Sequence, residues 1–147
     1  MSKVLSLHHI VFGTRHRIPA IVHAEREHLC RVIWSLLKEE KCYLYRVNCV
    51  PDHVHMLIDL NATKSLSSVI SKIKSKSSLW IKSSGIYPLF EAWCDGYYAS
   101  SVSLEERDSV IDYIKNQQHH HAGIGYEAEM KNLYLKAGLI WHDNDLQ

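Results

Sequence analysis

No run of eighteen or more apolar residues occurs in the sequence, so no transmembrane helix is expected and no membrane is expected among the partners. No Cys-x-x-Cys pair occurs either. The four cysteines, Cys30, Cys42, Cys49 and Cys94, are spaced for neither a zinc ribbon nor a thioredoxin-like motif, and reduced, mostly buried thiols in a cytoplasmic protein are the expectation. A glycine-rich phosphate loop is missing, which argues against ATP-driven chemistry. The amino terminus lacks a signal-peptide pattern: His8 and His9 break its apolar stretch, and no cleavage site follows. There is no internal repeat and no low-complexity segment, and "QQHHH" at 117–121 continues a helical pattern.

What is present fits one soluble domain over residues 1–147, with a hydrophobic fraction of 46% and a charged fraction of 22%. The formal net charge of +1 says little about partners, but the distribution of charge says more. Between Asn61 and Phe90 there are five lysines (Lys64, Lys72, Lys74, Lys76, Lys82) and no Asp or Glu. A second basic cluster is "TRHR", residues 14–17. Such segments on a nearly neutral chain fit local contact with a polyanion, or else a solvated helix face.

Periodicity along the chain predicts a strand over 4–14, a helix over 24–40 and a hairpin over 42–60 that turns at Pro51-Asp52. A long helix follows over 65–82, ended by Gly85 and Pro88. "FEAWCDGYYASSVS" reads as a fourth, aromatic-rich strand. Ser103 with Glu106 has capping-box form and opens a helix running to about His121. A last helix over 127–137 ends at Gly138. The order β-α-β-β-α-β is ferredoxin-like: an α+β fold with a four-stranded antiparallel sheet and two helices on one face, here with additional C-terminal helices. The core spans about 4–122, and the C-terminal helix and tail span 123–147.

Within "VPDHVHMLIDL", residues 50–60, strand alternation separates two faces. Val54, Met56, Ile58 and Leu60 share one; His53, His55, Leu57 and Asp59 share the other. Two imidazoles at i and i+2 can converge on one metal, or can simply line a polar sheet face. In "VIDYIKNQQHHH", Tyr113 and Gln117 lie one helical turn apart. If that helix packs over the histidine face, Gln117 can add an oxygen ligand and Tyr113 stands near whatever the metal holds. Otherwise Tyr113 packs at an interface and Gln117 faces water. Asp59 is a candidate to orient a ligand imidazole, one of His8 and His9 a candidate to face the site, and His119, His120 and His121 candidates for proton transfer or phosphate contact.

"HVHML" after the Pro-Asp turn resembles the His-hydrophobic-His signature of the HUH endonucleases, and "YIKNQQHHH" resembles the tyrosine helix of their single-tyrosine transposases. Those enzymes mobilise insertion sequences of the IS-two-hundred and IS-six-oh-five group. "HHIVFGTRHRIPAI" and "FEAWCDGYYASSVS" resemble the family's first and fourth strands, and the resemblance covers roughly residues 7–122. Trp93-Cys94 stands where family members usually have an aromatic-glutamine pair, which puts local DNA contacts there in doubt.

The resemblance implies a DNA transposase that cuts and rejoins single-stranded DNA through a 5′-phosphotyrosine. Tyr113 is then the catalytic nucleophile, and His53, His55 and Gln117 hold a divalent cation, Mg²⁺ or Mn²⁺. The implied partners are single-stranded DNA with a hairpin at the element ends and a second copy of the chain in a homodimer, working in the prokaryotic cytoplasm at the nucleoid. Arg15, Arg17, Lys72, Lys74, Lys76 and Lys82 are the candidates for contact with the DNA backbone. Three other readings compete. One is a domesticated REP-associated or nickase-type relative. Another is a non-catalytic ferredoxin-like nucleic-acid-binding module, although the RNP-type octapeptide of such modules is missing. The third is a structural or metal-binding protein in which Tyr113 and Gln117 have no special place.

Overall fold

Alternation in the two central strands decides the architecture. A computed structural model describes residues 2–145, the side chains of residues 120–122 excepted. β1 (Leu7–Gly13) pairs antiparallel with β3 (His53–Asp59), and β2 (Tyr43–Val50) and β4 (Tyr98–Val102) form the edges, in the order β2-β3-β1-β4. Helices α1 (Arg26–Glu39) and α2 (Leu66–Ser84) complete the ferredoxin-like order. Ile10 and Phe12 of β1, with Val54, Met56 and Ile58 of β3, point to one side of the sheet. There they join Leu29, Ile33 and Leu37 of α1 and Val69, Ile70, Ile73 and Ile81 of α2 in one buried cluster. At roughly 1.5–3 kcal/mol per large apolar side chain removed from water, this layer is the main source of stability.

Local chemistry sets the ends of these elements where the sequence places them. Ser65 Oγ accepts the Ser68 N–H at 3.1 Å and starts α2. Gly85, at φ +74°, ends it in the left-handed conformation that glycine adopts without strain. Ser103 and Glu106 form the reciprocal capping box.

Two elements differ from the sequence reading. The fourth strand is shorter than expected and begins only at Tyr98. The preceding segment is held irregularly: Thr14 bridges Trp93, and Lys74 Nζ donates to the carbonyls of Cys94, Asp95 and Gly96 at 2.9, 3.2 and 2.7 Å. The helix expected to run to His121 is broken. A 3₁₀ turn at Leu104–Glu106 leads into α3 (Arg107–Lys115), and α4 (Gln117–Gly123) starts after a kink at Asn116. The buried side chain of Asn48 on β2 causes the break to be stable. Its amide donates to the carbonyls of Ile114 and Lys115 at 2.9 and 3.3 Å and to Gln118 Oε1 at 2.8 Å, while Gln118 Nε2 donates back to Asn48 Oδ1 at 2.8 Å.

Helices α3, α4 and α5 (Tyr126–Ala137) cover the second face of the sheet. Leu7, Leu57 and Ile114 pack together under α3; Val11, Tyr98, Tyr126 and Met130 pack together under α5. The histidine face is therefore buried, not a solvent-facing polar surface.

Candidate active site

His53 and His55 stand on β3 with no solvent exposure. Their Nε2 atoms converge on one oxygen: Glu129 Oε1 lies 3.2 Å from His53 Nε2 and 2.8 Å from His55 Nε2. His53, His55 and Glu129 each offer a ligand atom, all within 4.8 Å of one another, so this buried group could hold a metal ion. A donor set of two imidazoles and a carboxylate suits a divalent cation.

The far side of each imidazole is also held. His53 Nδ1 is 2.7 Å from Asp52 Oδ1, and His55 Nδ1 is 2.9 Å from His9 Nε2. Partners of this kind fix ring orientation in metal sites. Asp52 belongs to the turn before β3, and strand alternation puts His9 beside Val11 on the histidine face. Asp59 instead accepts the Ser6 N–H at 2.9 Å, and His8 bonds Ser6 Oγ at 3.0 Å.

Burial and charge oppose each other here. Desolvation disfavours the charge on Glu129, but hydrogen bonds from both histidines and their positive potential outweigh it, and its carboxyl stays well below the ordinary range. Burial likewise works against a charged His53, yet bonds to Asp52 and Glu129 raise its pKa above the usual value. His9 is driven down to about 3, first by desolvation and then by the neighbouring His55, and is neutral.

Tyr113 of α3 meets this cluster. Its ring centroid lies 5.6 Å from that of His55 and 6.0 Å from that of His9, in edge-on geometry. Burial and the negative charge of Glu129 push its phenol well above the ordinary pKa. Gln117 is fully buried one turn on. Its Nε2 donates to the Tyr113 carbonyl at 3.3 Å, and its Oε1 is buried without a hydrogen-bond partner among the described residues. An oxygen left so is costly unless something supplies a positive partner. Tyr126 packs edge-on against His53 at 4.3 Å.

The basic residues are placed differently from one another. Arg15 and Arg17 follow β1 at the sheet end where Gly13 pairs with His53, and both are exposed. Lys72 and Lys76 pair with Glu40 and Glu39 at 3.1 and 3.2 Å, on the α1–α2 side of the sheet. Lys74 is tied to the three carbonyls of residues 94–96. Lys82 is exposed in the last turn of α2. His119 is exposed, and the side chains of His120 and His121 lie outside the described residues.

Sequence spacing missed Glu129, which lies more than seventy residues from the histidines. One signal was available: Tyr126, Met130 and Leu133 form an apolar stripe at helical spacing, and Glu129 interrupts it. A carboxylate on a core-facing stripe is unusual without a partner.

A solved structure shares this ferredoxin-like fold. It is a REP-associated tyrosine transposase bound to a REP hairpin, 12% identical, with a TM-score of 0.63, covering 100% of this chain and 93% of that one. The family model described as "Transposase IS200 like" matches residues 3–117, and the chain belongs to that family. It is also 30% identical over 120 residues to the transposases for insertion sequence element IS200 of Salmonella typhimurium and of Salmonella typhi, with 75% of this chain and 75% of each relative covered. Glu129 and the whole of α5 lie beyond the residues that the family model matches.

Proposed function

We propose that this chain cuts and rejoins single-stranded DNA by transesterification, with Tyr113 as the nucleophile. The observation that carries this reading is the meeting, within one chain, of half-buried Tyr113 with the buried His53–His55 pair. Tyr113 attacks a backbone phosphate and keeps the 5′-phosphate as a tyrosyl ester, while the 3′-oxygen leaves as a hydroxyl. A second 3′-hydroxyl reverses the step on a new strand, so the ester bond energy is retained.

The site residues fit a divalent cation, Mg²⁺ or Mn²⁺. His53, His55 and Glu129 would hold it, and the unpartnered Gln117 Oε1 is a fourth donor for it, the second oxygen after that of Glu129. Bound there, the cation supplies charge that offsets the phosphate and the Glu129 carboxylate. The protein's own contribution is placement. Asp52 and His9 hold the imidazoles, and Asn48 with Gln118 holds the helix junction beside Tyr113. Burial and the Glu129 carboxylate hold the Tyr113 phenol in its neutral form.

Arg15 and Arg17 are assigned to phosphates of the reacting strand, because their loop leaves the sheet at the His53 end. Lys72, Lys76 and Lys82 lie on α2 across the sheet and are assigned to a hairpin arm; Lys82 is exposed, and the Lys76–Glu39 pair is exposed on both sides and exchanges at little cost. Joining two element ends takes two sites, and the working unit is a homodimer acting on nucleoid DNA.

The test is incubation with labelled single-stranded DNA carrying the element's own end hairpin, with Mn²⁺. A covalent protein–DNA adduct is expected, abolished by Tyr113→Phe and by chelation. An adduct that persists in Tyr113→Phe assigns the nucleophile elsewhere and sinks the proposal.

A further inference from the structure

Along α1, Arg31, Trp34 and Lys38 recur at helical spacing, and all three are exposed. Trp34 keeps 46% of its surface in water, and Tyr43 on the edge strand β2 keeps 64%. Between helix and strand lies an open groove of about 320 Å³, to which α1 supplies Arg31 and Trp34 and β2 supplies Tyr45 and Arg46. Cys30, Leu44 and Val47 also line it and pack on the main core. Single exposed aromatics are ordinary, but several around one groove mark an interaction site.

Cations and rings are interleaved here. Lys38 Nζ lies 3.8 Å from the Trp34 ring centroid, and the Arg107 guanidinium lies 5.8 Å from that of Tyr45. Tyr43 and Tyr45 meet edge-on at 4.8 Å. Arg31 and Arg46 form no ion pair among the described residues, and no carboxylate lines the groove. Lys72, Lys74 and Lys76 of α2, by contrast, are matched to carboxylates or carbonyls. Unmatched cations flanking exposed rings suit a ligand with both anionic groups and planar faces. An unpaired nucleotide strand has a phosphate at every step and bases that stack on Trp or Tyr. In a duplex or a hairpin stem those faces are covered by neighbouring base pairs.

Because β2 is a sheet edge, strand addition by a second copy is the competing use of this surface. The register shift between Leu44 and Arg46 leaves Tyr45 out of the ladder. Such a bulge interrupts the regular row of backbone groups that an added strand needs, and an exposed arginine on the edge also discourages pairing.

We infer that the α1–β2 groove is a binding surface for unpaired DNA, in which bases stack on Trp34 and Tyr45 while Arg31 and Arg46 take the flanking phosphates. A base on Trp34 displaces the Lys38 ammonium, an exposed contact that is weak and frees the amine for a phosphate. The inference rests on the reading of single-stranded DNA as the substrate, and adds a surface outside the Tyr113 cluster that holds the strand.

The experiment uses the full chain in chelator and a labelled oligothymidylate of about 12 residues, which forms no hairpin. Anisotropy gives the affinity, and tryptophan fluorescence reports stacking. Wild type is expected to bind with quenching. Trp34→Ala is expected to weaken binding about 5–150-fold, as loss of one stacked base predicts, and Trp34→Phe to recover much of it. The double variant Arg31→Gln, Arg46→Gln is expected to reduce the salt slope of binding by about 1.4. Circular dichroism checks folding; if Trp34→Ala does not fold, the wild-type quench and the arginine variant decide. Unchanged oligothymidylate binding by Trp34→Ala overturns the inference, as does an equal loss of affinity for a blunt duplex. Trp34→Ala that alters sedimentation but not oligothymidylate binding makes the groove a contact between copies and also overturns it. The covalent adduct is a separate readout. Wild type that forms the adduct on hairpin DNA but does not bind oligothymidylate loses the groove and keeps Tyr113; wild type that binds oligothymidylate with quenching but forms no adduct keeps the groove and loses the nucleophile.

Discussion

Asn48→Ala is the most telling single perturbation of the tyrosine helix. Asn48 sits opposite His55 in the β2–β3 register and reaches across to α3 and α4. Its amide makes bonds of 2.9, 3.3 and 2.8 Å to Ile114 O, Lys115 O and Gln118 Oε1, and its carbonyl receives Gln118 Nε2 at 2.8 Å. A hydrogen bond of this kind contributes about 0.5–1.5 kcal/mol net, and a buried group left unpaired costs about 1–3 kcal/mol. Truncation removes four contacts, but Gln118 keeps its bond to the Cys49 carbonyl at 3.1 Å, and part of the junction can find water. The expected loss is about 2–4 kcal/mol. For a chain of this size that lowers the melting temperature by roughly 6–12 °C. Urea denaturation with a double-mutant cycle against Gln118→Ala is the assay, and a coupling of about 0.5–3 kcal/mol is expected for the reciprocal amide pair. Asn48→Asp keeps the shape but turns donors into acceptors facing two carbonyls, so it should be at least as harmful. If Asn48→Ala lies within about 0.5 kcal/mol of wild type, the junction is not held by this residue and the account of how Tyr113 is placed is wrong.

Three further outcomes are expected. Glu129→Gln should flatten the dependence of metal-free stability on pH. The depressed carboxyl contributes stability above its unfolded pKa of about 4.3 that is lost as pH falls through the folded value, and the raised His53 contributes stability below about 6.5 that is lost as pH rises through its folded value. Thermal melts in chelator across that range check this, and an unchanged profile in Glu129→Gln would refute it. Lys74→Met should destabilise by about 1–3 kcal/mol, because three carbonyls lose a charged donor, while leaving the salt slope of DNA binding alone. A slope reduced by about one unit would instead make Lys74 a phosphate contact. Leu57→Ala, which opens a cavity beneath Ile114, should cost about 2–5 kcal/mol by denaturation, and a loss under about 1 kcal/mol would show that α3 collapses onto the sheet.

Much of the fold is local information. Period-two alternation in "HVHMLIDL" separated Val54, Met56 and Ile58 from His53 and His55, and the structure buries the two sets on opposite faces. Ser65, Gly85, Ser103 with Glu106, and Gly138 mark helix ends because the groups they satisfy are within a few residues. The histidine pair and the Tyr113–Gln117 spacing were legible for the same reason: both are neighbours along one element.

What joins elements was not legible. Whether the histidine face was wet or dry depended on α3 and α5 folding back over it, and only packing shows that both rings are fully buried. Glu129 meets the histidines from another helix, so no spacing rule connects them. The break between α3 and α4 comes from an amide on β2, and the early segment of the expected fourth strand is drawn off by a lysine on α2. Basic residues alike in sequence take unlike parts: Arg15 and Arg17 stand at the histidine end of the sheet, while Lys72, Lys74 and Lys76 are engaged on α1 carboxylates and loop carbonyls. Periodicity records which side of an element avoids water; which groups then meet across the interior is set by the three-dimensional path of the chain, and the pairing of His9, His55 and Glu129 exists only there.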